Sequence, residues 1–103
     1  AMEVGEKAIL YNPDSYSLLA RMAGLYNEMK NYDKAKESAK KSIKIKKNYA
    51  PGSFELGVAE INLCNRVAAK DAFSIAKRDR NYRKVASSYL KPENFDYYTK
   101  HCN

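Results

Sequence analysis

A chain of 103 residues is long enough for one domain and too short for two. Hydrophobic residues make up 45% and charged residues 30%, which excludes an intrinsically disordered chain. No apolar run approaches the ~18 residues a membrane-spanning helix needs, and the first residues lack the basic-then-apolar order of a secretory leader, so no membrane insertion by this chain is expected and its compartment stays open.

The apolar class leans on alanine and on nine tyrosines, with no tryptophan, and only four glycines and three prolines punctuate the chain. Period-two alternation of β-branched residues is absent, so the expected fold class is all-α. The first clear element is a helix over 16–29. Asp14 and Ser15 are suited to cap it, and Leu18, Leu19, Met22, Ala23, Tyr26 and Met29 recur at three- and four-residue intervals along one stripe. A second helix is predicted over 33–46. Asn31 offers a side-chain oxygen to its free N–H groups, Asp33 places negative charge at its positive end, and Ala35, Ala39, Ser42 and Ile43 face inward. Its other faces are basic: eight lysines from Lys30 to Lys47 oppose only Asp33 and Glu37.

Pro51 suits the first turn of a third helix, 51–63, because its missing N–H has no partner there in any case. Phe54, Leu56, Gly57, Val58, Ile61 and Leu63 lie on it, and a turn follows at Cys64 and Asn65. A fourth helix, 67–79, has Ala69, Ala72, Phe73 and Ala76 on its inner face. Gly57 costs a helix about 1 kcal/mol relative to alanine; a close approach of two helices, with Gly57 opposite Ala69, is the expected reason. A second basic cluster, Lys77, Arg78, Arg80, Arg83 and Lys84, contains only Asp79 as counter-charge. A last helix begins near Lys84 and must stop near Leu90 or Lys91, because proline in a helix interior costs about 3 kcal/mol or more. Pro92 then opens a short helix bearing Phe95, Tyr97 and Tyr98. Val85, Tyr89, Leu90, Phe95 and Tyr98 are the expected apolar side of a capping segment, 84–103.

One shift of 34 residues relates these elements. It aligns Ala1, Ala35 and Ala69; Ala8, Ser42 and Ala76; Met22, Leu56 and Leu90; Ala23 with Gly57, Ile9 with Ile43, and Asn31 with Asn65. With Leu56-Gly57 in one helix and Ala69, Phe73 and Ala76 at the expected separations in the next, the chain resembles the tetratricopeptide repeat family. Residues 16–49 match more loosely: Met22-Ala23 replaces Leu-Gly, Tyr26 and Ala35 are as expected, Ala39 replaces the aromatic and Lys47 the proline. Residues 1–15, with Ala1, Ala8 and Pro13 in register, look like the second helix of an earlier repeat. The resemblance implies helix-turn-helix repeats at 16–49 and 50–83, stacked as a short right-handed α-solenoid and packed through Met22, Ala23, Tyr26, Ala35, Ala39, Leu56, Gly57, Ala69, Phe73 and Ala76.

Function follows from the same resemblance. In such repeats the first helices line a concave groove that takes a peptide or a helix of a partner protein. Here the implied lining is Ser17, Ala20, Gly24, Asn27 and Glu28 from one helix and Phe54, Val58, Ile61 and Asn62 from the next. Ala20, Gly24, Phe54 and Val58 occupy the positions where some family members carry the lysine and asparagine of a carboxylate clamp, so no such clamp is expected. Phe54, Val58 and Ile61 favour an apolar anchor, unless the chain's own C-terminal segment or a neighbouring repeat covers them. Nucleic-acid or other polyanion binding through the basic helix 33–47 is the alternative. It is disfavoured because the lysines fall on the implied convex side and no aromatic–arginine ladder lines the other. A structural or self-association role in a longer repeat protein is a third reading. No catalytic, cofactor or metal set is expected: Cys64 and Cys102 stand too far apart in sequence to read as a disulfide framework or zinc site, Cys64 reads as a spare thiol in a turn, and His101-Cys102 sits at a terminus expected to fray.

Overall fold

In the computed structural model, which describes residues 15–102, every regular element is helical. Six α-helices run Tyr16–Glu28 (α1), Tyr32–Ile45 (α2), Ala50–Asn62 (α3), Arg66–Ala76 (α4), Arg83–Leu90 (α5) and Pro92–Tyr98 (α6), and a short 3-10 turn spans Lys100–Cys102. The expected helix over 1–15, and Asp14 as a cap, lie outside the described residues.

Local chemistry accounts for the helix starts. Ser15 caps α1 by accepting from the Leu18 backbone N–H at 3.3 Å, which satisfies one of the orphan donors of the first turn. α3 carries Pro51 in its first turn, as does α6 with Pro92, where the missing donor costs nothing. The expected cap at Asn31 is not made: its side chain takes no cap hydrogen bond. Asp33 does lie in the first turn of α2, where its charge favours the helix dipole.

A shift of 34 residues carries α1 onto α3 residue for residue, and the first residue of α2 onto that of α4. The turns repeat as well. Lys30 and Cys64 both adopt left-handed backbone, φ 61° and 67°. Behind them, Asn31 N–H donates to the Tyr26 carbonyl at 2.8 Å, and Asn65 N–H donates to the Glu60 carbonyl at 2.9 Å. These bonds tie off carbonyls that a helix end leaves open, at the cost of putting two side chains where glycine is usual.

Packing is consecutive, each helix lying against the next, and α1 also lies directly against α3. Two cores result. Ala23, Ala39, Leu56 and Ala72 are buried together with Ile43 beside them. Ile61, Ala69, Phe73, Ala76, Ala86 and Phe95 form the second, flanked by Phe54, Val58, Tyr82, Tyr89 and Leu90. Small residues at Ala23, Ala35, Ala39 and Ala69, none with any exposure, let the axes approach closely. Ser42 sits among them fully buried, and its hydroxyl donates to the Tyr16 carbonyl at 2.7 Å, so a polar side chain costs little there.

Gly57 is buried, and a methyl group at this position meets three atoms of the Phe73 ring at 2.7 to 2.8 Å. The glycine makes a flat seat for an aromatic ring one helix away. Met29 departs from expectation, at 59% exposed: it follows the last residue of α1 and leaves the stripe as the chain turns.

Candidate functional site

The residues expected to line a groove divide into two groups. On α3, Ile61 is 2% exposed and belongs to the core, and Phe54 and Val58 pack against that core. Phe54 meets Phe73, Tyr82 and Tyr89 with ring centroids 5.8, 5.5 and 5.8 Å apart. Tyr89 stacks on Phe73 at 4.6 Å and 12°, and Tyr98 closes over Tyr89 at 4.8 Å. The apolar half of the expected groove is therefore filled by the chain's own last helices. Burial of Phe95 and partial burial of Tyr89 and Leu90 put the covering role on those residues; Tyr98, 45% exposed, adds its ring over Tyr89 from outside, and Val85 is 40% exposed.

On α1, Ser17 and Glu28 are exposed, Gly24 and Asn27 are half-buried, and Ala20 is buried. Glu55, which the sequence did not single out, reaches across from α3 to this group. Asn27 Nδ2 donates to the Glu55 backbone carbonyl and to Glu55 Oε1, both at 3.0 Å, and the carboxylate lies over Gly24. Burial pushes the Glu55 carboxyl above the usual range and the nearby charge of Glu28 pushes it further, while the Asn27 bond opposes both. Tyr82 and Tyr89 are held above the ordinary phenol range, chiefly by burial. The Glu55 charge adds to both, Tyr49 and Asp79 to Tyr82, and Tyr98 to Tyr89. Asn27 Oδ1 is buried with no hydrogen-bond partner. The α1–α3 face thus carries a partly desolvated acid, Glu55, close enough to Tyr82 and Tyr89 for its charge to act on both.

A second carboxylate, Glu60, is 3% exposed behind that face. Lys36 of α2 reaches it at 3.2 Å and Asn65 Nδ2 donates to it at 2.8 Å, the pairing a buried charge requires. No local pattern marks either acid, because each owes its environment to a helix distant in sequence.

The lysines of α2 are largely exposed, with several held in local contacts. Lys41 pairs with Glu37 one turn away at 3.3 Å, and Lys46 lies 4.8 Å over the Tyr16 ring. In the second basic cluster, Arg83 donates to the carbonyls of Lys77 and Arg78, closing the end of α4.

The cysteines overturn the expectation drawn from their spacing. Cys64 and Cys102 are joined by a disulfide across 38 residues, with Cα atoms 5.5 Å apart. The C-terminal end is correspondingly anchored: the Thr99 hydroxyl donates to the Phe95 carbonyl at 2.9 Å, and His101 Nε2 lies 3.2 Å from the Asn62 carbonyl oxygen. Asn62, expected in the groove, uses its side chain to donate to the Val58 carbonyl at 2.8 Å. Among the described residues no helix is long and apolar enough to cross a membrane. No protein family, curated protein or solved structure matches the chain.

Proposed function

We propose that the chain is a segment of a right-handed α-solenoid of the tetratricopeptide type, and that it works as a non-enzymatic module holding a polypeptide against the face formed by α1 and α3. The observation that carries this reading is the shared 34-residue register of two helical hairpins, with equivalent helices α1 and α3 side by side. Repeats that stack this way present their first helices on one surface. The occupant of the neighbouring apolar strip indicates the kind of ligand the surface suits: α5 and α6 lay Tyr89, Leu90 and Phe95 on it, a helix-in-groove contact made within one chain.

The open part of the face is the strip of Ser17, Gly24, Asn27 and Glu28 with Glu55 reaching across to it. Two acidic side chains, Glu55 partly desolvated and Glu28 exposed, favour a partner segment that brings a lysine or arginine. Phe54 and Ile61 are structural and not contact residues in this reading, so substituting them reports on folding.

A displayed random-peptide library selected on the disulfide-bonded chain tests the proposal. Selected peptides should contain a basic residue and should lose about tenfold or more in affinity on Glu28→Arg or Ser17→Arg, changes at exposed positions that leave the fold intact. Peptides indifferent to both substitutions would overturn it. If the chain instead bound a single-stranded oligonucleotide, with affinity falling steeply with salt and lost in the Lys40, Lys41 and Lys44 to alanine variant, the basic helix would replace the groove as the functional surface. Concentration-dependent dimers abolished by the Glu28 change would point to self-association through the same strip.

A further inference from the structure

We propose that reduction of the Cys64–Cys102 disulfide creates a binding site for one zinc-like divalent ion, with Cys64 Sγ, Cys102 Sγ and His101 Nε2 as its three protein ligands. The three atoms lie within 4.8 Å of one another, and His101 Nε2 is 3.5 Å from Cys102 Sγ. They come from two segments far apart in sequence, the α3–α4 turn and the C-terminal 3-10 turn, brought together by folding.

Both segments are held by bonds other than the disulfide. Cys64 N–H donates to the Ile61 carbonyl at 3.3 Å, and the following Asn65 N–H closes the turn on Glu60. Cys102 N–H donates to the Thr99 carbonyl at 2.9 Å. Thr99 is itself buried and follows Phe95, which is 3% exposed in the core. Reduction therefore frees the sulfurs while these local bonds still hold their backbones. Two thiolates bound to one zinc at ~2.3 Å stand roughly 3.8 Å apart in a tetrahedron. With Cα atoms at 5.5 Å, side-chain rotation reaches that spacing.

A dithiol reductant gives two electrons and two protons to the Cys64–Cys102 bond and closes to its own disulfide, leaving two thiols. On metal binding each thiol releases its proton to solvent, and His101 coordinates through a deprotonated Nε2 while Nδ1 keeps the ring proton, giving up its contact with the Asn62 carbonyl. Two thiolates and an imidazole select zinc or cobalt over magnesium or calcium, which prefer oxygen. His101 is exposed, so an ion has a path in, and the fourth coordination position is left to water. In oxidising conditions a covalent bond ties the capping segment to the α3–α4 turn; in reducing conditions the metal makes the same tie.

The test is an anaerobic cobalt titration of the full chain after reduction and removal of the reductant. One equivalent should bring up thiolate-to-cobalt charge-transfer absorption in the near ultraviolet and the visible bands of tetrahedral cobalt, both abolished by zinc. The oxidised chain should show neither. His101→Ala should weaken binding about tenfold or more, and Cys64→Ser should remove the charge-transfer band's full intensity. Zinc should also raise the melting temperature of the reduced chain and leave that of the oxidised chain unchanged, a readout that separates binding at the folded site from capture by loose thiols. No charge-transfer band in the reduced chain, equal affinity in His101→Ala, or a melting temperature indifferent to zinc would each overturn the proposal.

Discussion

Gly57→Ala should destabilise the protein, although alanine is the better helix former. In an open helix interior this change gains about 1 kcal/mol. Here the added methyl group lies 2.7 Å from Phe73 Cε1 and 2.8 Å from Cδ1 and Cζ, almost 1 Å inside the ~3.5 Å at which carbon atoms begin to repel. The ring has no room to withdraw. Phe73 is fully buried, stacked on Tyr89 at 4.6 Å on one side and met by the edge of Phe54 at 5.8 Å. Overpacking of this kind costs about 1–3 kcal/mol. Three ring atoms are struck at once, which places the cost in the upper part of that range and leaves a net loss of about 1–2 kcal/mol. Urea unfolding of the disulfide-bonded chain, followed by circular dichroism, measures it. Two comparisons separate the contact from the helix. Gly24→Ala meets only the Glu55 carboxylate, at 3.1 Å, a flexible side-chain end, and should be neutral or stabilising by up to about 1 kcal/mol. In a Phe73→Leu background, Gly57→Ala should lose its penalty, since pairs in contact are non-additive. Parental stability in Gly57→Ala, or a loss that persists without the ring, would refute the clash.

Other expectations follow from the same geometry. Cys102→Ser opens a loop of 38 residues, and the chain-entropy estimate for that length is about 4 kcal/mol; the urea midpoint should fall accordingly, with hydrogen exchange increasing first in α6. Lys36→Met removes the ammonium group from the buried Glu60 carboxylate, and should cost about 2–3 kcal/mol by the worth of a charged hydrogen bond, measured in the same assay. Glu55 has its pKa raised by burial, so the folded state binds protons more readily than the unfolded one. Its effect is to make stability rise as pH falls from neutral toward the unfolded carboxyl pKa. Glu55→Gln, which keeps an acceptor for Asn27, should raise the melting temperature at neutral pH and flatten that part of the pH profile; an unchanged profile would mean that Glu55 is solvated.

Much of the secondary structure was legible in the residues. Ser15, Pro51 and Pro92 act within one helical turn of themselves, so the starts of α1, α3 and α6 can be read locally, and the 34-residue recurrence of small and apolar residues brings the second hairpin into phase with the first. The alanines and Phe73 were legible as inward-facing because a helix turns by a constant angle and its stripe can be counted. Asn31 shows the limit even locally: the residue type suits a cap, but the bond depends on a side-chain torsion that the sequence does not specify.

Tertiary structure decided the rest, because each remaining feature depends on groups far apart in the chain. Phe54, Val58 and Ile61 have the composition of an apolar binding strip, and only the packing of α4, α5 and α6 buries Ile61 in the core and partly covers Phe54 and Val58. Glu55 and Glu60 look like surface acids until α1, α2 and the aromatic cluster surround them. Gly57 was recognisable as a point of close packing, and the structure adds the Phe73 ring, itself stacked on Tyr89, as the group nearest to it. The cysteines are the sharpest case. A 38-residue separation says nothing about distance in space, and it is the buried anchor at Phe95 and Thr99 that brings Cys102 and His101 back to Cys64.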